Sequence, residues 1–168
     1  NKSFVSHEKS RYWSERNQLK PREFFKCSNQ KIWFNCSNCN HEFTSNINDV
    51  YSGKWCSYCA NKILCDDNDC EMCFNKSFAS QSMSKYWGEN LDTNGNKIIP
   101  RQVFKNSGLK YKFKCCNDEC RNIIEIVLND IKYDERKCDE CKNKIFEKNK
   151  ERRNSEAPFK PWQGRTLI

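Results

Sequence analysis

The residues with the most chemistry in this chain are its cysteines. Cys36-Ser-Asn-Cys39 is followed, after sixteen intervening residues, by Cys56-Ser-Tyr-Cys59. Two Cys-x2-Cys knuckles at this separation supply four thiolates to one tetrahedral zinc. The pattern returns as Cys115-x4-Cys120 and Cys138-x2-Cys141, with the first knuckle lengthened. Between the two sets, Cys65, Cys70 and Cys73 stand at ligand spacing for a third centre that lacks one donor. Counting forward, the fourth position falls on Gln81, whose neutral amide oxygen is a hard ligand for zinc. Its counterpart in the first copy is His7, which would suit zinc well. Cys27 and His41 are the distant candidates; otherwise the centre is open to a partner or unfilled. The cysteine total of 13 is odd, so at least one thiol lies outside any such scheme. Cys27 and Cys116 have no counterparts and read as small buried hydrophobes.

This donor set argues against catalysis. Four thiolates fill a zinc and leave no position for an activated water. There are only 2 histidines, and no paired carboxylates or activated nucleophile stand out. We therefore expect a protein that is not an enzyme and has no small-molecule substrate.

The elements that must position the cysteines are themselves duplicated. Lys31-Ile-Trp-Phe-Asn-Cys36 parallels Lys110-Tyr-Lys-Phe-Lys-Cys115, and Ile47-Asn-Asp-Val50 parallels Leu128-Asn-Asp-Ile131. Asn61-Lys62 after the first site matches Asn143-Lys144 after the second. Each copy reads as a hairpin carrying the first knuckle at its tip, with Lys31–Asn35 entering and Glu42–Asn46 returning in the first copy. A short helical turn follows, then the second knuckle. Residues 4–16 read as a helix with Ser6 as N-cap and Glu8 in its first turn. Tyr12 and Trp13, with Tyr86 and Trp87 in the second copy, read as core. Pro21 and Pro100 each lead into an extended Phe-rich segment, and Asp92-Thr-Asn-Gly-Asn96 is a surface turn inserted in the second copy. The expected fold is a small, metal-stapled α+β protein of two tandem zinc-ribbon or treble-clef-like modules, with an extended C-terminal tail. Its boundaries are 1–62, a cysteine-rich linker 63–75, 76–146 and a basic tail 147–168.

Composition agrees with stapling. Hydrophobic residues make up 36% and mean hydropathy is −1.01, so neither module has a large core of its own. Thirteen cysteines would also suit a secreted disulfide scaffold, but the chain opens without a hydrophobic leader, and paired knuckles favour zinc in a reducing compartment. No apolar run is long enough for a membrane span. The formal charge of +8 overstates the basic character: each four-thiolate zinc carries −2, so two centres leave +4.

Two surface features bear on partners. Lys110, Lys112 and Lys114 alternate with aromatics, which reads as the solvated side of an amphipathic strand or as a strip for nucleic-acid phosphates. Lys148–Arg153 adds basic charge. Phe159 and Trp162, set beside prolines, have no local core to enter and are expected to dock on another protein. The start at Asn1 without an initiator Met suggests a longer chain.

Ser3-Phe4, Ser6-His7, Tyr12-Trp13, Pro21-Arg22, His41-Glu-Phe43 and Gly53-Lys-Trp-Cys-Ser-Tyr-Cys59 together resemble the zinc-ribbon repeats of nucleocytoplasmic large DNA viruses. The resemblance covers roughly residues 2–145, and the Cys65, Cys70, Cys73 linker is similar too. The second copy departs most, with Gln81 in place of the histidine and Asn122 in place of His41. The resemblance implies zinc as cofactor and location in a virion or host cytoplasm. It fits a minor, capsid-associated component whose partners are other virion proteins. The alternative is a nucleic-acid-binding module, including the targeting part of a longer nuclease-type protein.

Overall fold

In a computed structural model, residues 2–117, 119–131 and 137–155 are described here. The chain divides into two compact units. One comprises residues within Asn1–Ser84 and Ile98–Ser107, the other residues within Lys85–Lys97 and Gly108–Ile168.

The first unit opens with two 3-10 turns, Phe4–Ser6 and Glu8–Tyr12, where one helix was expected. Polar side chains explain the break, because they bond to the backbone that a helix would use. The Ser6 and Ser10 hydroxyls donate to the carbonyls of Ser3 and Val5. His7 is extended, and its Nδ1 accepts the Lys9 N–H. The expected N-cap role of Ser6 falls instead to Ser3 and His7.

Strands β1 (Lys31–Asn35) and β2 (Glu42–Asn46) form the expected antiparallel hairpin, with Phe34 opposite Phe43. Helix α1 (Ile47–Tyr51) follows and buries Ile47 and Val50. Gly53, at φ +90°, supplies the left-handed turn that leads to the second knuckle. The core is mostly aromatic: Phe4, Phe24, Phe34 and Phe43 are buried with Ile32, Ile47 and Val50, and Trp13 and Trp55 pack against them. Trp13 meets Phe34 edge-on at 5.5 Å, and Trp55 meets Phe43 edge-on at 4.9 Å.

After the first module comes α2 (Glu71–Lys76), which carries Cys73 and packs on the 3-10 turn Phe78–Ser80. Phe78 N–H donates to the Val103 carbonyl, and Ser77 bridges Phe104. These contacts place residues 63–84 and 98–107 in the first unit, whereas the sequence suggested breaks at 62 and 75.

Short strands β3 (Asn90–Leu91) and β4 (Lys97–Ile98) flank the inserted turn, where Asp92 accepts the N–H groups of Asn94 and Asn96. Strands β5 (Lys110–Lys114) and β6 (Ile123–Val127) repeat the hairpin. Trp87 meets Phe113 edge-on at 5.3 Å, as Trp13 meets Phe34. Both modules also share an asparagine clamp. The Asn17 amide pairs with both backbone groups of Trp33, and the Asn90 amide does the same with Lys112, which covers an otherwise open strand edge. Helix α3 (Asp139–Ser155) closes the described chain. It takes in the basic stretch Lys148–Arg153, so the segment read as an extended tail from 147 is helical as far as Ser155.

Candidate metal centres

Each first knuckle grows from the end of a hairpin. The Cys36 N–H donates to the His41 carbonyl at 2.9 Å, and Asn40, left-handed at φ 56°, lets the chain double back. In the second module the Cys115 N–H donates to the Asn122 carbonyl at the same distance, so Asn122 stands where His41 stands. The sulfurs then converge. Cys36 to Cys59 is 3.7 Å and Cys39 to Cys56 is 3.5 Å. In the second module Cys115 to Cys141 is 3.8 Å and Cys120 to Cys138 is 3.6 Å.

These distances fit zinc. Four sulfurs at ~2.3 Å from one ion lie ~3.8 Å apart at the corners of a tetrahedron. Disulfide sulfurs would be in covalent contact, and none of the thirteen cysteines is disulfide-bonded. Donors around the clusters suit thiolate charge. The backbone N–H groups of Asn38 and Cys39 point at the Cys36 sulfur, and those of Tyr58 and Cys59 at Cys56. Asn38 Nδ2 donates to Cys59 and, at the matching place, Asn117 Nδ2 donates to Cys141, both at 3.4 Å. Asn122 adds a third amide, to Cys138.

The thiols of the metal-free chain are correspondingly split. Burial pushes Cys36 up, but the N–H groups of Asn38 and Cys39 and the neighbouring thiols outweigh it, bringing it down to about 7. The Cys141 N–H and the Asn122 amide bring Cys138 down to about 6. Their neighbours resist a second charge: Cys39 is raised, burial being the main cause, and at Cys120 the Asn122 N–H pulls the thiol down but burial and the adjoining thiols outweigh it, raising it to about 12. Zinc binding must therefore expel protons from each cluster.

The linker cysteines form a third cluster, and its fourth donor is His41. The side-chain donor atoms of His41, Cys65, Cys70 and Cys73 all lie within 4.8 Å of one another. His41 Nε2 is 3.4 Å from the Cys70 sulfur and 3.6 Å from that of Cys73. The ring stacks on Tyr58 at 4.1 Å, while its Nδ1 is buried without a hydrogen-bond partner. Stacking, then, sets the orientation of the imidazole. Burial and the nearby Cys65 and Cys73 raise the Tyr58 phenol, so it stays neutral beside the cluster. Burial acts against ionisation of Cys65 as well, yet hydrogen bonding to His41, Cys73, Arg101 and Cys70 brings it down to about 7.

The other candidates lie elsewhere. Gln81 is exposed, and His7 caps a 3-10 turn with its ring stacked on Phe4. Cys27 is exposed and Cys116 half-buried, so neither is the buried hydrophobe expected. Lys110, Lys112 and Lys114 are exposed on one side of β5, with Tyr111 and Phe113 buried on the other; Glu125 pairs across from Lys112. Phe159 and Trp162 lie outside the described residues. Sequence reasoning missed Asn38 and Asn117, although their shared place two residues after a ligand was visible. It also missed Tyr58 and Arg101.

Comparison with known proteins agrees with this geometry. Residues 10–62 match a family described as "Probable Treble clef zinc finger domain". The match falls within the first module. The last two ligands of a treble clef open a helix, and in the second module α3 starts between Cys138 and Cys141. In the first, the same stretch makes a single turn. Asn61, left-handed at φ 55°, stops it, with Lys62 N–H bonding back to Ser57 and Asn61 N–H to Tyr58. The chain is also similar to an uncharacterized protein of Acanthamoeba polyphaga mimivirus. The two are 37% identical over 121 residues, a match covering 68% of this chain and 28% of that relative. The chain thus spans well under half of that relative's length. It carries a zinc-finger-like metal-binding domain and is similar to a giant-virus protein.

Proposed function

We propose that this chain is a non-enzymatic scaffold, a minor capsid-associated component of a large DNA virus particle whose partners are other protein subunits. The observation that supports it is saturation. Each cluster presents four sulfur or imidazole donors to one point, so a tetrahedral zinc has no vacant position for water or substrate. Such metals hold folds together, and the first unit's small aromatic core relies on them. No helix among the described residues is long and apolar enough to cross a membrane. The proposed setting is the virion or the host cytoplasm, which the similarity to a mimivirus protein supports. The strip of Lys110, Lys112 and Lys114 is a weak phosphate track, because Glu125 faces its middle lysine.

A nucleic-acid reading draws support from α3. Beyond Cys141 its residues are exposed, and Lys148, Lys150, Arg152 and Arg153 stand on it among few acids. Particle incorporation separates the readings. In infected cells, tagged chain should co-purify with capsids stripped of genome, and Phe159→Ala with Trp162→Ala should remove it, as aromatic anchors dominate interfaces. Replacing the three β5 lysines by Ala should change nothing. The proposal fails if the chain stays with the released genome, binding in a salt-sensitive way that the lysines or α3 control.

A further inference from the structure

Arg101 is 8% exposed, an unusual place for a guanidinium. Its Nη2 donates to the Asp67 carbonyl at 2.7 Å and to the Cys65 sulfur at 3.6 Å. Its Nε and Nη1 are buried without a hydrogen-bond partner, and no carboxylate among the described residues forms an ion pair with it. A buried cation needs a compensating anion. The one beside it is the His41, Cys65, Cys70, Cys73 cluster. Three thiolates and a neutral imidazole around a divalent ion leave a net charge of about −1, which one arginine cancels.

The first copy supplies an internal control. Pro21–Glu23 and Pro100–Gln102 form the same 3-10 turn, each with proline first and arginine second. Arg22, which has no thiolate cluster beside it among the described residues, is exposed; Arg101 is buried. The turn does not bury its arginine by itself. The cluster does.

We propose that Arg101 is the counter-ion and sulfur-directed hydrogen-bond donor of the linker metal centre, a positioning residue supplied by the second repeat. The centre thus joins three parts of the tandem sequence: His41 from the first module, three cysteines from the linker, and the Pro100–Gln102 turn from the second. Metal occupancy and burial of Arg101 support each other, so the ion acts as a fastener for residues 98–107. That coupling is reciprocal. Removing the arginine weakens the metal, and removing the metal frees the turn.

The test uses the full chain with Arg101→Gln, Arg101→Lys and, as control, Arg22→Gln, titrated against chelators of graded affinity and by cobalt substitution. Arg101→Gln should weaken one metal site by roughly 10- to 100-fold and leave the other two unchanged, the range for loss of a partner behind a ligand. It should also move the thiolate-to-cobalt band of that site to lower energy, because the sulfur loses a hydrogen bond. Arg101→Lys should recover part of the affinity, and Arg22→Gln should match the native chain. The converse arm is Cys70→Ser, which should speed amide exchange at Gln102 and Val103 but not at Glu23 and Phe24. Three metals with native affinities and spectra in Arg101→Gln would overturn the proposal, as would equal weakening of all three sites. Two metals in the unaltered chain would instead remove the linker centre itself.

Discussion

In the metal-free chain each cluster holds one thiol that ionises near neutrality: Cys36 and Cys65 at about 7, Cys138 at about 6. A thiol lowered by folding stabilises the fold above its ordinary range, and that contribution is lost as pH falls through the lowered value. Zinc reinforces the same sign, since it binds the thiolate and competes with protons. Transfer of zinc to an indicator should therefore quicken as pH drops from about 8 to about 5. Release that does not change over this window would contradict the assignment of thiolate ligands. His41 offers a sharper change, because the second copy already carries Asn122 at its place. The variant His41→Asn should lose one zinc and destabilise the first unit by roughly 4 kcal/mol or more, as metal losses do. Full retention of zinc and melting temperature would remove His41 from the centre. His41 stood among several candidates in the sequence because it lies far from Cys65 along the chain. Only the turn closed by Cys36 N–H and the His41 carbonyl brings them together.

Among the elements, both hairpins were legible. Alternation in Lys110–Lys114 separates exposed lysines from buried rings, and the knuckle spacing marks each tip. The opening segment was not, since hydroxyl and imidazole bonds to nearby backbone groups leave no trace in helical periodicity. Nor was the fate of Asn61-Lys62 and Asn143-Lys144. The same pair stops a turn in one copy and continues α3 in the other, so surroundings decide. Gly88 shows how closely elements approach. A Cβ there would sit 2.8 Å from the Lys112 carbonyl oxygen, which accepts the Gly88 N–H. Gly88→Ala should cost roughly 1–3 kcal/mol by crowding β5, read by denaturant unfolding. An unchanged midpoint would show that the backbone yields freely.

On the scale of the whole molecule, duplication supplied two similar centres, and divergence left one extra. The third depends on a histidine that only the first copy keeps and on an arginine that only the second copy buries. The charge follows the metal: three filled centres lower the formal +8 to about +3, a modest value for a protein read as a polyanion binder. The most direct measurement is native mass spectrometry of the full chain purified under reducing conditions without chelator. Three zinc ions per chain, released together with unfolding on acidification, are the predicted result. Two or fewer, or masses showing disulfides among Cys36, Cys39, Cys56, Cys59, Cys115, Cys120, Cys138 and Cys141, would contradict it.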